Sequence, residues 1–403
     1  MTTKNNIPKG YKDSAVGIIP EEWEVKSVKD FGMVITGNTP STTDISNYGD
    51  KYMFVSPTDL SDNKKYILHS EKMLSSKGYA ASRKIPKGAI LYTCIGSTIG
   101  KIGIASCELT SNQQINAIIC NETNEYLYYA LLFITDKIKI LANEQAVPII
   151  NKSDFERIKL AIPPLEEQKK IAEILSTWDE AIERQSKLIE KLELRKRGIM
   201  QRLLTGRTRL PGFTTPWQKV KLGDIFTERN ETKCEHLALL SITADKGVIL
   251  QSESDKKDTS NEDKSKYKRI CPNDIGYNTM RMWQGRSALS NIEGIVSPAY
   301  TIVTPKKNIN TLFISEVIKL PRVIYDFWTH SQGLVGDTLN CKFHNFKQIT
   351  VLIPSFTEQN TISKILTTID EEINIQHKKL ETLRTQKRGL MQQLLTGKTR
   401  VNF

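Results

Sequence analysis

A chain of 403 residues, 39% of them hydrophobic, is long enough for two or three domains and apolar enough to build real cores. It carries 57 lysines and arginines against 45 aspartates and glutamates, a net charge of +12 that argues for polyanionic partners and says nothing of the fold. No run of about 18 apolar residues exists, MTTKNNIPKGYKD at the N-terminus lacks the apolar core of a signal peptide, and the six cysteines form no Cys-x-x-Cys pair, so no membrane span and no secretion are expected, neither a zinc ribbon nor a redox couple is suggested, and a cytoplasmic location is expected.

The first element in chain order is a tryptophan, a short basic strand and an aspartate, over 23–30. Two polar loops follow, GNTPS at 37–41 and SNQQ at 111–114, with a Gly/Ser/Thr turn at 96–101 between them. That turn has one residue too few between its glycines for a phosphate-binding loop, and Ile102 stands where Ser or Thr must hold magnesium, so nucleotide binding is not expected. Its amides and Lys101 suit a DNA phosphate; a plain strand connection is the alternative. A helical pattern over 124–143 and a period-two strand with Ile158, Leu160 and Ile162 complete a mixed α and β module.

Pro163 and Pro164, followed by Glu166 and Glu167, then open a proline-free stretch that ends at Gly206, placed for a left-handed C-cap. Alternating four-three spacing selects Ile171, Leu175, Trp178, Ile182, Gln185, Ile189, Leu192, Lys196, Ile199 and Leu203, a coiled-coil seam interrupted by one Gln and one Lys. At 1.5 Å per residue a helix of roughly 40 residues is about 60 Å long. The Pro/Gly/Thr-rich linker at 210–216 starts a second module, which again begins with Trp, a basic strand and Asp, over 217–224. A loop with Lys246, the cluster RMWQGR at 281–286, a helical pattern over 311–331 interrupted by Pro321, and a strand with Ile349, Val351 and Ile353 follow. The basic excess lies mainly in this module and the tails.

A second long helix then opens with a capping box, Ser355 with Glu358, and closes at Gly397. Its seam is Ile362, Leu366, Ile369, Ile373, Gln376, Leu380, Leu383, Lys387, Leu390 and Leu394. The two segments, 162–209 and 353–400, align without gaps at an offset of 191, with 26 of 48 positions identical, and Gln and Lys interrupt both seams at the same places. An antiparallel pairing with residue numbers summing to 572 sets Gln185 beside Lys387 and Lys196 beside Gln376, as polar layers that fix register. The expected fold is therefore α+β: a globular domain at 1–161, a long helix at 162–209, a second globular domain at 210–352 and a second long helix at 353–403. The helices form an intramolecular antiparallel coiled coil, giving a pseudo-twofold frame with two unlike faces. Such a frame suits duplex DNA read at two places.

GYKDSAVGIIPEEWEV, GNTPS with FVSPTDL, IGSTIGKIGI, SNQQIN, both PPLEEQ-like helix starts, both LLTG(R/K)TR ends and DIGYNTMRMWQGRSALS with GIVSPAY together resemble the specificity subunits of type I restriction-modification systems. The resemblance implies two target recognition domains that read a split DNA site, spacer helices that set the unread length, and docking to two methyltransferase subunits and, in the full assembly, two restriction subunits. It implies no catalysis in this chain, with S-adenosylmethionine on the methyltransferase and ATP and Mg on the restriction subunit. The residues agree. The one Pro-Pro heads a helix and is followed by Leu, not by an aromatic as in adenine methyltransferases; no proline precedes an aspartate; and the five histidines show no ligand spacing. A self-sufficient methyltransferase or nuclease, and a coiled-coil protein that does not bind DNA, remain the competing readings.

DNA contacts follow from chemistry, since Arg reads guanine and Asn or Gln reads adenine in the major groove. The candidates are Asn38, Thr39, Lys101, Asn112, Gln113 and Gln114 in the first module, and Lys246, Arg281, Trp283, Gln284 and Arg286 in the second. Matching residues on the repeats, Gln168 with Gln359, Asp179 with Asp370 and Arg197 with Arg388, are candidates for docking two copies of one partner.

Overall fold

The computed structural model describes residues 7–61, 64–120, 123–142, 148–243, 246–254, 258, 260–333 and 339–402. They form two compact units, Met1–Ile189 with Gln376–Phe403, and Glu190–Ile375. The division cuts through both long helices, the central one at Leu165–Leu203 and the C-terminal one at Phe356–Leu395. No described helix is long and apolar enough to cross a membrane.

In the first unit the opening strand Glu24–Ser27 pairs antiparallel with the closing strand Lys159–Ile162. Between them the chain builds a five-stranded sheet in the order Gly32–Thr36, Ile115–Cys120, Ile90–Thr93, Ile102–Ala105, Tyr66–Ile67. Successive side chains of a strand face opposite sides. Ile90 and Tyr92 accordingly enter one core with the helix Asn124–Ala142, while Leu91 enters another with Val55 and Leu109. The expected helix end at residue 143 lies outside the described residues. Ile171 and Leu175 of the central helix, and Met391, Leu394 and Leu395 of the C-terminal helix, complete the first core.

The second unit repeats the frame and changes the filling. Gln218–Lys221 pairs antiparallel with Thr350–Ile353. The main sheet has four antiparallel strands in the order Phe226–Arg229, Tyr300–Pro305, Ile275–Asn278, Ser287–Leu289, joined by two ribbons, Leu240–Ile242 with Val248–Leu250 and Lys268–Ile270 with Gly294–Val296. The helical pattern at 311–331 becomes two helices, Thr311–Val317 and Pro321–His330, because Pro321 has no N–H for the first to continue and a φ already set for the first turn of the second.

Within each unit the long helices pair antiparallel, and all twenty seam positions are buried or half-buried. In the first unit Ile182 and Ile189 pack with Leu380 and Leu383; in the second, Leu192 packs with Ile369 and Ile373. The polar layers correct the expected register. Gln185 donates from Nε2 to Oε1 of Gln376 at 2.9 Å, so the equivalent glutamines meet each other. Lys387 pairs with Asp179 at 2.5 Å and Lys196 with Asp370. The pairing sits about one heptad from the sum of 572, and neither lysine faces a glutamine. An ammonium half-removed from water is costly unless a counter-charge reaches it, which an aspartate supplies and a glutamine cannot.

The repeated LLTG(R/K)TR ends act as latches. Gly206 and Gly397 take the left-handed conformation, at φ 68° and 71°, and turn the chain back. Arg400 then grips Glu167 through Nε and Nη2 at 2.8 and 3.0 Å, and reaches Glu22 at 2.8 Å. Arg209 grips Glu358 in the same manner at 2.9 and 2.8 Å. Each glutamate belongs to the first turn of one repeat and each arginine to the end of the other. The Glu358 amide donates to Ser355 Oγ at 3.4 Å, but Arg209 occupies the carboxylate expected to complete the capping box. The copies differ in one detail. Trp23 Nε1 donates to Glu167 at 3.0 Å, whereas Trp217 Nε1 is buried with no partner among the described residues.

Candidate nucleic-acid interface

The two polar loops of the first unit lie side by side at one end of the five-stranded sheet. Gly37 N donates to the carbonyl of Ile115 at 3.0 Å, and Thr39 Oγ1 donates to Gln113 Oε1 at 2.7 Å. A side chain at 37 is impossible without movement, since a Cβ there would stand 2.2 Å from the Asn112 carbonyl. The Gly96 turn borders the same loops, with Gln114 Nε2 3.9 Å from the place a Cβ of Gly96 would occupy. Gly96 and Gly100 bend that turn at φ 85° and 94°, and Lys101 follows, half-buried.

Several candidates spend their polar groups on the framework. Asn38 donates to the Ala81 carbonyl at 3.1 Å and accepts from the Arg83 amide at 2.7 Å. Asn112 donates to Gln114 Oε1 at 2.9 Å and accepts from its amide at 3.1 Å. These residues shape the loops, while Thr39 and Gln113 are exposed. Sequence reading missed Arg83. Its guanidinium bonds the Thr36 carbonyl at 2.7 Å beside this cluster, and with Lys84 and Lys87 it forms an exposed basic edge. The run SRKIPKG was the available signal.

In the second unit the RMWQGR cluster is one tight turn after strand Ile275–Asn278. Met282–Gln284 forms a single helical turn with Met282 fully buried, and Gly285 ends it in the left-handed conformation at φ 74°. Trp283 is half-buried and bonds the Met280 carbonyl through Nε1 at 3.0 Å, which holds it to the turn. Gln284 and Arg286 are exposed and Arg281 is half-buried. Lys246 sits apart from this turn, exposed in the hairpin between the strands Leu240–Ile242 and Val248–Leu250. Part of the unit's basic charge is internally paired. Arg229 holds Asp274, whose side chain is 1% exposed, and Arg269 bridges Glu231 and Glu293. Those carboxylates raise both guanidinium pKa values.

The residues proposed for docking divide. Gln168 is buried, donating to the Pro163 carbonyl at 2.8 Å and accepting from Thr123 at 2.8 Å. Gln359 is buried likewise, on the Pro354 carbonyl and the Asn310 amide. Their side chains fasten each helix start to its own unit. Asp179 and Asp370 neutralise the seam lysines, and Asp179 also accepts from Tyr129. Arg197 and Arg388 are exposed and available to a partner.

Comparison with known proteins meets this geometry. The type I restriction modification DNA specificity domain matches the chain twice, at residues 20–194 and 215–385. The chain belongs to that family. Each match runs from an opening strand into a long helix, so the domain repeat is the structural frame itself. Among relatives in the specificity family, the MjaVIII specificity subunit of Methanocaldococcus jannaschii is 26% identical over 419 residues, covering 95% of this chain and 94% of the relative. The MjaIX specificity subunit of the same organism is 34% identical over 194 residues, 46% of this chain and 45% of the relative, so the match spans about half of that subunit. A chain in a structure concerned with complex assembly and conformational transition of the type I restriction-modification system superposes with a TM-score of 0.61 at 16% identity, over 94% of this chain and 99% of that one. That likeness concerns the fold.

Proposed function

We propose that this chain is the DNA-specificity subunit of a type I restriction-modification complex, in which each domain reads one half of a split, asymmetric duplex site. The observation that carries the reading is the pair of specificity domains built on one frame with unlike loop clusters: Thr39, Gln113 and Arg83 in one, Arg281, Gln284 and Arg286 in the other. A repeated frame fixes two readers to one scaffold, and different loops give them different half-sites. The paired helices set the unread spacer and dock two methyltransferase subunits, for which Arg197 and Arg388 offer equivalent exposed positions. Two restriction subunits join the full complex. Catalysis resides in the partners, with S-adenosylmethionine bound by the methyltransferase and ATP and Mg by the restriction subunit.

The test is methylation mapping with purified subunits. With methyltransferase and S-adenosylmethionine, the chain is expected to direct methylation to a two-part motif. Reversing charge at Arg281 and Arg286 is expected to relax one half only. Methyl transfer by the chain alone would instead favour a self-sufficient enzyme, and failure to bind duplex DNA in a salt-sensitive way would favour a coiled-coil protein of another kind.

A further inference from the structure

Helix Pro321–His330 carries two aromatic side chains that its own folding does not use. Its inner face is complete: Val323 and Phe327 are buried in the core of the second unit. Its outer face holds Arg322, Tyr325, Trp328 and Thr329, all exposed. Tyr325 is 59% and Trp328 48% accessible, and their rings lie 5.6 Å apart, three residues being one helical neighbour. An exposed aromatic pair on a helix whose inner face is already complete leaves apolar surface open to a partner.

The helix packs directly on the RMWQGR turn. Ile324, between Val323 and Tyr325, presses its Cδ1 to 2.7 Å from where a Cβ of Gly285 would stand. Glycine at 285 thus serves both the left-handed turn and this close approach. The approach brings the Tyr325–Trp328 helix beside Gln284 and Arg286.

Charge selects the occupant. Among the described residues neither Arg286 nor Arg322 takes part in an ion pair, and the acidic residue on this helix, Asp326, is half-buried. His330, also exposed, bonds the Asp326 carbonyl at its own helix end. A surface of unpaired arginines around exposed aromatics is complementary to a polyanion that also offers apolar edges, which duplex DNA does through phosphates, sugars and thymine methyl groups.

We infer that the outer face of helix 321–330 is part of the DNA-contacting surface of the second domain, with Arg322 on a phosphate and Tyr325 and Trp328 against sugar and base edges adjoining those read from the RMWQGR turn. This rests on the function proposed above and adds to it a recognition element that lies outside every motif of the sequence.

The test uses the full chain with its methyltransferase subunit and a library of randomised duplexes, sequenced after selection. The native complex yields a two-part motif; if it yields none, the proposed function falls and this inference with it. The double variant Tyr325→Ser, Trp328→Gln is expected to keep one half-motif, which shows that the complex is assembled, and to bind the full motif at least tenfold more weakly with the other half relaxed. Arg322→Gln is expected to lower the slope of log affinity against log salt by about one. An unchanged motif at unchanged affinity in both variants overturns the inference and leaves the function standing. Unchanged DNA selection together with loss of methyltransferase capture also overturns it, and makes the face a protein interface.

Discussion

Removing Arg400 tests the latch that closes the first unit. In Arg400→Met, Glu167 stays fully buried and keeps the Trp23 indole as its hydrogen-bond donor while losing both guanidinium bonds. Breaking a buried pair and stranding its charge costs about 3–5 kcal/mol. The arginine side chain is 35% exposed, so solvent screens part of the pair, and the remaining indole bond lowers the loss further, to about 2–3 kcal/mol. Replacing Glu167 by Gln removes the charge that needs compensation, and on that background Arg400→Met is expected to cost about 1 kcal/mol. The coupling in this double-mutant cycle is therefore about 1–2 kcal/mol. Urea unfolding measures the total, and amide exchange across Glu24–Ser27 and Lys159–Ile162 localises it, because Trp23 adjoins the first of these strands. An unchanged urea midpoint with unchanged exchange in Arg400→Met would refute the latch and leave the repeated LLTG(R/K)TR ends without a structural reason.

The unequal tryptophans give a second expectation: Trp23→Phe should destabilise by about 1–3 kcal/mol more than Trp217→Phe, since only the first loses a hydrogen bond to a carboxylate and the second removes an unpaired buried N–H; equal losses in thermal unfolding would count against it. Gly37→Ala should distort the loop pair at 37–41 and 111–114 and weaken recognition of one half-site by tenfold or more in a methylation assay, leaving the other half intact; a fully active variant would show that this loop cluster does not read DNA. Acid should loosen the edge strand Tyr66–Ile67. Burial alone raises the Glu125 pKa, but Tyr66, Lys65 and Ser176 together hold it below 4.5. A carboxylate with a lowered folded pKa stabilises at neutral pH and loses that contribution as pH falls below 4.5 through the folded value. Exchange protection of Tyr66–Ile67 is thus expected to hold from about pH 7 to pH 5 and to fall below about pH 4.5; loss of protection between pH 7 and 5 would contradict the assignment.

The frame was legible because its signals are local. Seam spacing, the glycines at 206 and 397, Pro321 and the period-two closing strands each act through near neighbours in sequence, and each appears where the pattern requires it. The latches were hidden because they join residues far apart: Arg400 and Glu167 are 233 positions apart. A first-turn glutamate reads as helix-dipole or capping chemistry until its tertiary partner is seen. Gln168 and Gln359 misled for the same reason, since equivalent residues in two repeats can serve the frame as well as a partner. Within the loops, composition alone could not separate Asn38 and Asn112, whose side chains build the turns, from Gln113 and Arg286, which face outward. Helix 321–330 was invisible as a recognition element because aromatic residues at helical spacing ordinarily fill a core, and only its exposure says otherwise.

The register error has a physical cause. Sliding one seam along the other by a heptad returns Leu and Ile to Leu and Ile, so apolar matching cannot choose between neighbouring registers. Polar positions must choose, and sequence reading considered only those within the seam. Asp179 and Asp370 flank it, and each neutralises the lysine of the opposite helix, making one contact twice with the repeats exchanged. At a sum of 572 both lysines would face glutamines, leaving two half-buried ammonium groups without a counter-charge. The shifted register also unites Gln185 with Gln376, whose side-chain and backbone carbonyls both accept from the Gln185 amide. The flanking acid and the seam lysine thus form one register device. Because both copies retain it while their domains diverge, the helix pairing is preserved independently of what each domain reads.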